Sequence, residues 1–258
     1  MSALSALFPN GCATVSGGAS GLGRATAIAL ADAGLPVSVL DLAAACERME
    51  PHPGLTAIPV DVTDPALVQA AFAAHEQRTG PTRIHVSCAG VIGAGLLFTR
   101  DGGLDAEAFR RIVDVNLVGT FACARAAAEQ MRRAEPNAEG ARGVIVNTSS
   151  IAAYDGMIGQ VAYAASKGAV AAMTLPLARE LARFGIRVMS IAPGVFATPM
   201  VNNLPDQSRE AVSSLLPLFP PRLGEPAEFG QLVVSIILNP LLNGEVVRLD
   251  GGLRMPPK

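Results

Sequence analysis

The segment Gly17-Gly18-Ala19-Ser20-Gly21-Leu22-Gly23 joins a short apolar stretch, residues 11–16, to an alanine-rich stretch that continues to Ala33. The apolar stretch has the length of a buried strand, and the alanine-rich stretch is typical of a helix. Glycines permit the sharp turn between them, and their missing side chains let a pyrophosphate approach the amides at the helix N-terminus. Glycine-rich loops are common, so the position of this one between the first strand and the first helix is what favours a dinucleotide site.

The same alternation continues along the chain. Further apolar segments predict strands at residues 36–40, 55–60, 83–88, 143–148, 186–191 and 245–249. Helical patterns lie between them at residues 65–78, 105–133, 160–184 and 226–238, with one or two short helices in 205–222. Short apolar strands that alternate with helices predict a parallel sheet covered on both faces. We therefore predict a single α/β domain over residues 1–258, a doubly wound Rossmann fold with a seven-stranded parallel sheet and helices on both faces.

Composition disfavours several classes of protein. The net charge of −2 offers no electrostatic footprint for nucleic acid or an acidic membrane, and no apolar run approaches the roughly 20 residues that span a bilayer. The three histidines lack the spacing of metal ligands, so no metal site is predicted. The four cysteines lie far apart, as in reduced intracellular proteins, and the N-terminus lacks the basic region of a signal peptide. We expect a cytoplasmic protein that binds neither nucleic acid nor membranes.

Asp41 ends the second predicted strand, roughly 20 residues after the glycine segment. At this place in a dinucleotide-binding domain, an acidic side chain can hydrogen-bond the adenosine ribose hydroxyls. Its charge would repel a 2′-phosphate, and neither Ser20 nor Leu42 supplies a compensating cation, so we predict NAD rather than NADP. Arg24 follows the glycines and is expected on the outer helix face. The alternative for Asp41 is an N-cap of a helix that starts at Ala43.

Tyr163 and Lys167 lie four residues apart on the predicted helix 160–184, although the chain has only two tyrosines and two lysines. The spacing puts both side chains on one helix face, where the ammonium would favour the phenolate and lower its pKa from about 10. Such a pair suits proton transfer. For the pair in isolation, the alternative is an ordinary amphipathic helix with a solvated lysine.

Ser150 follows the predicted strand 143–148, at the edge where the carboxyl ends of parallel strands line a ligand crevice. It would face Tyr163 on the next helix and could donate a hydrogen bond to a substrate carbonyl oxygen while Tyr163 transfers the proton. No histidine or carboxylate is placed to make Ser150 a nucleophile, which disfavours a serine hydrolase. The alternative for Ser150 is a helix or turn cap.

Together these features resemble the short-chain dehydrogenase/reductase family over almost the whole chain. The matching elements are Gly17-x-x-x-Gly21-x-Gly23, Asp61-Val62, Ala89-Gly90, Asn116, Ser150, Tyr163-x-x-x-Lys167, Pro193-Gly194 and Thr198. Within the family, the chain most resembles the type 2 3-hydroxyacyl-CoA dehydrogenases, also called type 10 17β-hydroxysteroid dehydrogenases. The stretches that carry this closer match are VDVNLVGTF, GVIVNTSS, MTLPLARELARFGIRVMSIAPGVF and NPLLNGEVVRLDGGLRM.

The resemblance implies that four residues are catalytic: Asn116, Ser150, Tyr163 and Lys167. Tyr163 would be the general acid/base and Ser150 would polarise the substrate oxygen, so both would also bind the substrate. Lys167 would bind the nicotinamide ribose and, with the positive ring of the cofactor, hold the tyrosine pKa down. Asn116 would anchor a water that links Lys167 to solvent. Its alternative is a helix-interior asparagine bonded to backbone.

The glycine segment and the resemblance together imply a larger set of contacts with the cofactor, NAD. The set is Gly17, Ser20, Gly21, Leu22, Gly23, Asp41, Asp61, Val62, Cys88, Ala89, Gly90, Tyr163, Lys167, Pro193, Phe196 and Thr198. Phe196 and Thr198 are expected to close over the nicotinamide end, and Cys88 to pack beneath the cofactor rather than act as a redox thiol.

The resemblance also implies a homotetramer. One departure is Ser87, because the family has an asparagine there that is thought to steady the central sheet.

The pocket for a small-molecule substrate should be framed by the loop 92–103 and by the segment 201–222, with a lid over about 195–225. This lid is rich in apolar residues, among them Leu204, Leu215, Leu216, Leu218 and Phe219. An apolar lid suits an acyl chain or a steroid equally. Arg100, Arg209 and Arg222 are candidates for CoA phosphates, with a solvated surface arginine as the alternative for each.

The expected activity is NAD-dependent interconversion of a 3-hydroxyacyl-CoA, straight or 2-methyl-branched, and its 3-oxoacyl-CoA. An alternative within the same class is dehydrogenation of a hydroxysteroid or another hydrophobic secondary alcohol. The alternative from a different class is a non-catalytic dinucleotide-binding module, which the presence of Tyr163, Lys167 and Ser150 disfavours.

Overall fold

The computed structural model of this chain describes residues 3–93, 95–100, 102–202 and 215–257. Within them, seven strands form one sheet in the order β3-β2-β1-β4-β5-β6-β7, and neighbouring strands are parallel. The strands are β1 Cys12–Ser16, β2 Val37–Asp41, β3 Leu55–Pro59, β4 Thr82–Ser87, β5 Gly143–Thr148, β6 Ile186–Pro193 and β7 Val246–Leu249. The doubly wound parallel sheet predicted from the sequence is confirmed.

Helices connect the consecutive strands. In the described residues the α-helices are α1 Ala3–Leu7, α2 Gly21–Asp32, α3 Ala43–Glu47, α4 Pro65–Thr79, α5 Ala106–Val113, α6 Thr120–Met131, α7 Val161–Ala182, α8 Pro199–Asn202 and α9 Pro226–Leu238. A π-helical turn, Asp114–Gly119, joins α5 to α6, and a 3₁₀ turn, Ile151–Ala153, follows β5.

Local signals explain why two helix starts could be predicted to the residue. Asp64 caps α4 by accepting hydrogen bonds from the amides of Ala66 and Leu67 at 2.8 and 3.2 Å, and a proline occupies the first helical position. At the start of α9, the Glu228 carboxylate reaches back to the amide of Glu225 at 2.8 Å, and a proline again follows the cap.

The predicted helix 105–133 is instead three pieces, because the π turn separates α5 from α6. A π turn inserts one residue without removing the apolar pattern, so periodicity does not reveal it. The helices α1, α3 and α8 were not predicted, since four or five residues are too few to show a period. Part of the short helical region predicted in 205–222 lies outside the described residues, and residues 215–222, with three prolines, are not helical.

Each face of the sheet has its own hydrophobic core. On one face α2 packs against α9, and Leu30 and Phe229 are fully buried between them and the strands. On the other face Phe72 of α4 and Ala127 of α6 are buried in a second cluster. Strand side chains alternate between these two clusters. Burial on both faces is why the strand segments are continuously apolar in sequence.

The strand order reverses beside β1. From β1 the chain winds outward to β2 and β3, then crosses back to β4 on the other side of β1. At such a switch point the loops diverge and leave a crevice outside the carboxyl ends of the strands. The glycine segment follows β1, Cys88 follows β4 and Ser150 follows β5. The topology therefore gathers the predicted site residues at one edge of the sheet.

Helix α7 is long and apolar enough to cross a bilayer by length and composition alone, with 22 residues and a mean hydropathy of 1.2 over an 18-residue window. The expectation from the sequence concerned an uninterrupted apolar run, and in α7 that run is broken by Lys167 and Arg179. Core helices of globular proteins pass the same test, since they too are apolar. In this fold α7 packs against β5, β6 and the π turn, and it carries the buried Lys167.

Two of the three histidines lie in a buried polar network on the α4 face of the sheet. His85 in β4 lies 2.9 Å from Thr14 Oγ1 through Nδ1 and 2.9 Å from Ser87 Oγ through Nε2. His75 in α4 lies 2.7 Å from Ser38 Oγ through Nδ1. Burial lowers the pKa of His75 to about 4 and that of His85 to about 3. Both rings are therefore neutral in the folded protein near neutral pH.

Ser87, where the family has an asparagine, belongs to this network through its hydrogen bond with His85. Its register partner on β5 is Asn147, whose side-chain nitrogen and oxygen are both buried without a hydrogen-bond partner in the described part of the chain. A buried polar group left unpaired costs about 1–3 kcal/mol. An unsatisfied amide therefore lies beside Ser87 in the central sheet, and the loss of the structural role of the family asparagine stays a prediction.

We predict that the free energy of unfolding falls as the pH is lowered from about 6.5 to about 4.5. Unfolded histidine binds a proton near its ordinary pKa of about 6.5, whereas the buried rings resist protonation until much lower pH, so the unfolded state gains protons first. Each ring should contribute a loss of up to about 1.4 kcal/mol per pH unit in this window and none above it. Urea unfolding at a series of pH values measures the slope.

The double variant His75→Gln, His85→Gln should flatten that slope whatever its overall stability. The control is His52→Gln, because the His52 ring lies outside this buried network, 3.4 Å from Asp32. Asp155 and Glu228, whose pKa values their arginine partners hold below the ordinary range, lose their contribution only at lower pH. An unchanged slope in the double variant would contradict the account.

Candidate active site

The glycine segment forms a cradle that has no room for side chains. Gly17 and Gly21 have φ of +65° and +53°, in the left-handed region that favours glycine. A Cβ on Gly17 would lie 2.5 Å from the amide nitrogen of Ala89, and one on Gly23 would lie 2.7 Å from the carbonyl carbon of Gly17. Ser20 is the N-cap of α2, yet its side chain makes no capping hydrogen bond, so its hydroxyl is available to a ligand. The cradle fits a pyrophosphate at a helix N-terminus.

Asp41 lies beside this cradle. Its Oδ2 accepts a hydrogen bond from the amide of Ala19 at 3.0 Å, and its Oδ1 accepts one from the amide of Leu42 at 2.8 Å. The N-cap of α3 is Leu42, so the capping alternative for Asp41 is wrong. Arg24 points elsewhere, because its Nη2 donates to the carbonyl oxygen of Glu50 at 2.6 Å. The carboxylate is therefore the charged group held next to the turn.

The opposite wall of the groove comes from the loop after β3 and from the end of β4. Asp61 Oδ1 accepts hydrogen bonds from the amide and hydroxyl of Thr63 at 2.9 and 2.7 Å, and Val62 is buried beside it. Cys88 receives a hydrogen bond from Thr148 Oγ1 at 3.5 Å, and burial raises the pKa of its thiol to about 11. A thiol with so high a pKa is a poor nucleophile, which favours the packing role predicted for Cys88.

Ser150 and Tyr163 come together from two consecutive elements. Ser150 Oγ caps the 3₁₀ turn by accepting a hydrogen bond from the amide of Ala152 at 3.1 Å. The capping contact considered as an alternative is therefore present, and Ser150 also lines the same cavity as Tyr163 in the first turn of α7. Burial raises the pKa of Tyr163, while the neighbouring Ser150 hydroxyl acts in the opposite direction.

Lys167 is buried, with 4% of the residue exposed, so the alternative of a solvated lysine is wrong. Its Nζ donates to the backbone oxygen of Thr148 at 2.9 Å and lies 5.9 Å from the centroid of the Tyr163 ring. Burial lowers the pKa of the ammonium to about 8. The pKa of Tyr163 is raised and not lowered. Lys167 alone therefore does not depress it, and a lowered pKa needs a second positive charge in the site.

Asn116 lies in the π turn and is fully buried. Its Oδ1 accepts from the amide of Val91 at 2.8 Å, while its Nδ2 donates to the Val91 carbonyl and to the Ser166 hydroxyl, both at 3.0 Å. A Cβ on Gly90 would lie 3.2 Å from Asn116 Oδ1 and 3.4 Å from Lys167 Nζ, so these two polar groups flank Gly90. The side chain fixes the loop after β4 against α7, and the water-anchoring role of Asn116 stays a prediction.

A cavity of about 700 Å³ runs along this edge of the sheet. It is lined by all of the residues predicted to bind cofactor or substrate. Asn116 is the one predicted catalytic residue that does not line it, because it lies behind Gly90. One continuous cavity is thus lined by the glycine turn, Asp41, Ser150, Tyr163 and the buried Lys167.

Residues 11–209 match the family model of the short chain dehydrogenases. The chain belongs to the short-chain dehydrogenase family. It is 47% identical over 256 residues to the 3-hydroxyacyl-CoA dehydrogenase type-2 of Drosophila melanogaster, covering 97% of this chain and 100% of that protein. It is also 47% identical over 250 residues to the 3-hydroxyacyl-CoA dehydrogenase type-2 of Homo sapiens, covering 95% of each chain. A crystal structure of 3-hydroxyacyl-CoA dehydrogenase type-2 from Mycobacterium avium matches with a TM-score of 0.86 at 39% identity, covering 98% of this chain and 99% of that one.

Membership makes this short-chain dehydrogenase an oxidoreductase that uses a nicotinamide dinucleotide. The residues present fit that group, since the glycine turn would be filled by any Cβ and a helix N-terminus faces the turn. A small-molecule substrate follows from the same membership.

The substrate end of the cavity differs from the predicted frame. In the described part of the loop 92–103, Ile92 lines the cavity, and in the described part of 201–222, Val201 and Leu215 do. Leu216, Leu218 and Phe219 are exposed at the surface instead. Of the other residues proposed for the lid, Leu204 lies outside the described residues.

Two of the three arginines considered for CoA phosphates lie in the described residues of this short-chain dehydrogenase, and that role stays a prediction. Arg222 pairs with Glu228 at 2.8 Å, and Arg100 is exposed. Arg209 lies outside the described residues.

Phe196 lies between the core and the cavity. Its ring packs edge-on against Phe229, with centroids 6.5 Å apart, and close to Gly224. The residue also lines the cavity, and its contact with the nicotinamide end stays a prediction. Thr198 does lie over the glycine turn, since a Cβ on Gly21 would meet its side chain at 3.5 Å.

Sequence reasoning missed several residues that line the cavity. Met157, Ile158 and Gln160 come from the connection between β5 and α7, and Met255 comes from the end of the chain. Met157, Ile158 and Gln160 belong to no motif, and Met255 only ends one of the stretches that carry the closer family match. Their apolar or amide side chains carry no chemical signal by themselves. Only the fold shows that they meet at the same place.

We predict that Gly23→Ala weakens NADH binding to this short-chain dehydrogenase by at least about tenfold, a loss of about 1.4 kcal/mol. The new Cβ would clash with the carbonyl of Gly17 and open the turn that holds the pyrophosphate. Titration of NADH fluorescence measures the dissociation constant. Gly168→Ala on α7 is the matched control, because a Cβ there has nothing within 4 Å. Equal NADH affinities in the two variants would show that the glycine turn is not part of the cofactor site.

Proposed function

We propose that this protein is an NAD-dependent 3-hydroxyacyl-CoA dehydrogenase. It would remove hydride from C3 of a 3-hydroxyacyl-CoA and form the 3-oxoacyl-CoA, or catalyse the reverse reduction. The observation that carries the proposal is that Ser150, Tyr163 and the buried Lys167 line one cavity, in a chain nearly half identical to 3-hydroxyacyl-CoA dehydrogenases type-2.

The chemistry assigns a separate task to each polar group. The substrate hydroxyl would lie between Ser150, which donates a hydrogen bond to its oxygen, and Tyr163, which takes its proton as the C3 hydride leaves. The dinucleotide, when bound, accepts that hydride and contributes the positive charge of its oxidised ring. Lys167, held by Thr148, would bind the nicotinamide ribose and add a second positive charge near the phenol. In the reduction direction the same proton returns from Tyr163 to the substrate oxygen.

The preference for NAD rests on Asp41. Its two oxygens are fixed by the amides of Ala19 and Leu42, so the carboxylate cannot easily swing away from a ribose. A 2′-phosphate at that ribose would meet a like charge. Arg24, the nearest candidate to compensate it, is bound to the carbonyl of Glu50.

The walls of the pocket favour a hydrophobic substrate. Part of the cavity lining is apolar, and its members include Ile151, Ala152, Met157, Ile158, Leu215 and Met255. This lining suits an acyl chain, straight or 2-methyl-branched, and it is also the observation that supports a hydroxysteroid or another secondary alcohol as the second candidate.

We also propose a lid over about 195–225, a homotetramer, a cytoplasmic location and no binding of nucleic acid or membranes, on the grounds of composition and family resemblance.

We predict that the purified protein oxidises NADH in the presence of acetoacetyl-CoA and that Tyr163→Phe lowers kcat by at least about 10³-fold. The variant loses only the hydroxyl that carries the proton, so its dissociation constant for NADH should stay within about twofold. Absorbance of NADH follows turnover, and NADH fluorescence follows binding. Tyr154→Phe, at the only other tyrosine, is the matched control and should keep full activity. Undiminished activity in Tyr163→Phe would refute the assignment of the proton donor.

We predict that Asp41→Ser lowers the ratio of kcat/KM for NADH to kcat/KM for NADPH by about tenfold to a hundredfold, or about 1.4–2.8 kcal/mol. The substitution removes both the ribose acceptor and the repulsion of a 2′-phosphate. Initial rates with each cofactor give the ratio. Asp32→Ser, at an exposed carboxylate at the end of α2, is the control and should leave the ratio unchanged. A wild-type enzyme that prefers NADPH would contradict the proposed cofactor.

A further inference from the structure

After β7 the chain does not leave the molecule but turns back along the active-site cavity. The carboxyl-terminal segment, residues 250–257, starts with a turn at Gly251 and Gly252, which have φ of +57° and +83°. Leu253 is buried, with 6% exposed, and Met255 lines the cavity. The end of the chain is thus part of the pocket wall in the described structure.

Arg248 of β7 anchors this segment to the β5–α7 connection, residues 149–160. Its Nη2 lies 2.6 Å from Asp155 Oδ2 in that connection, and its Nε lies 2.7 Å from Asp250 Oδ2. The same Nη2 also donates to the carbonyl oxygen of Leu253 at 3.1 Å. The exposed fractions of the three charged side chains are 22% for Arg248, 17% for Asp155 and 7% for Asp250. One guanidinium therefore neutralises two half-buried carboxylates from two different segments.

The anchored connection contains the catalytic Ser150 and leads into the helix that carries Tyr163 and Lys167. It begins just before Ser150, ends just before the helix of Tyr163, and contributes Met157 and Ile158 to the cavity. A further contact fixes its middle, because the amide of Ile158 donates to the carbonyl oxygen of Pro257 at 3.4 Å. Any movement of the carboxyl-terminal segment would reach the substrate end of the cavity through these contacts.

The carboxyl-terminal segment also contacts the opposite wall of the pocket. The amide of Leu218 donates to the carbonyl oxygen of Gly251 at 3.0 Å, and a Cβ on Gly251 would lie 2.6 Å from Pro217 Cβ. Leu215, three residues before Leu218, lines the cavity. The segment therefore lies between the two parts of the chain that face the substrate.

We propose that residues 250–257 form a specificity-determining wall of the substrate pocket, in which Met255 contacts the acyl chain, and that Arg248 is the positioning residue that holds this wall. The inference rests on the proposed function, since it names the part of a 3-hydroxyacyl-CoA that the wall meets. Met255 and Met157 are flexible apolar side chains, which suit acyl chains of differing length and branching. Removal of Arg248 would leave Asp155 without an ion-pair partner and Asp250 with only the exposed Arg254, so the two carboxylates would repel each other and the wall would move outward.

The first experiment compares Arg248→Gln with Arg133→Gln. Arg133 is the matched control, because it also pairs with a carboxylate from another segment, Glu76 at 3.2 Å, but does not line the cavity and lies outside residues 250–257. Arg248→Gln should raise KM for acetoacetyl-CoA about tenfold while kcat and the dissociation constant of NADH change by less than about threefold. Arg133→Gln should leave all three constants unchanged. A general loss of fold would instead weaken NADH binding in proportion, and that outcome, or an unchanged KM, overturns the role of Arg248.

The second experiment tests the wall without touching the anchor. The ratio of kcat/KM for 3-oxodecanoyl-CoA to that for acetoacetyl-CoA should rise by at least about threefold in Met255→Ala and fall by at least about threefold in Met255→Trp, because the space beside a long acyl chain grows or shrinks. Ratios that stay at the wild-type value in both variants overturn the inference. A wild-type protein inactive on both thioesters would show instead that the proposed function fails, so the two failures are distinguishable.

Discussion

The site depends on a buried ammonium group. Lys167 has only 4% of its surface exposed, yet a charge in such a place is costly unless it is hydrogen-bonded. Its Nζ meets the backbone oxygen of Thr148 at 2.9 Å, at the carboxyl end of β5. This bond, together with the one from Asn116 to Ser166, ties α7 to the edge of the sheet where the cofactor groove and the catalytic serine lie. The position of Tyr163, one turn earlier on α7, follows from it.

The parallel sheet supplies the rest of the arrangement. All of its strands point the same way, so the segments after β1, β4 and β5 open at one edge. The glycine turn after β1 and Gly90 after β4 leave space where side chains would intrude, and Asn116 holds the second loop in place through Val91. A cofactor groove and a proton-transfer site are therefore consequences of the same topology.

The parts of this arrangement that the sequence predicted are those with a local signal. The strand 143–148 and the helix 226–238 have the predicted bounds, because apolar runs end at glycine, threonine, proline or asparagine. Tyr163, Lys167 and Ser150 were found from spacing and position. The π turn around Asn116 and the cavity wall at Met255 were not, since both depend on contacts between segments far apart in the chain. The expectation that Lys167 lowers the pKa of Tyr163 left out the burial of the phenol. Burial raises that pKa, and the spacing of the two residues does not show it.

That burial defines the central electrostatic claim. Within the protein, burial raises the pKa of Tyr163, and Ser150 only partly opposes it. A phenolate that works as a base therefore needs Lys167 and the positive ring of oxidised cofactor together. The chain has two tyrosines and no tryptophan, so ultraviolet difference spectra of wild type against Tyr163→Phe isolate the titration of this one phenol. The account predicts that saturating NAD lowers the pKa of Tyr163, and a titration that is the same with and without NAD would contradict it.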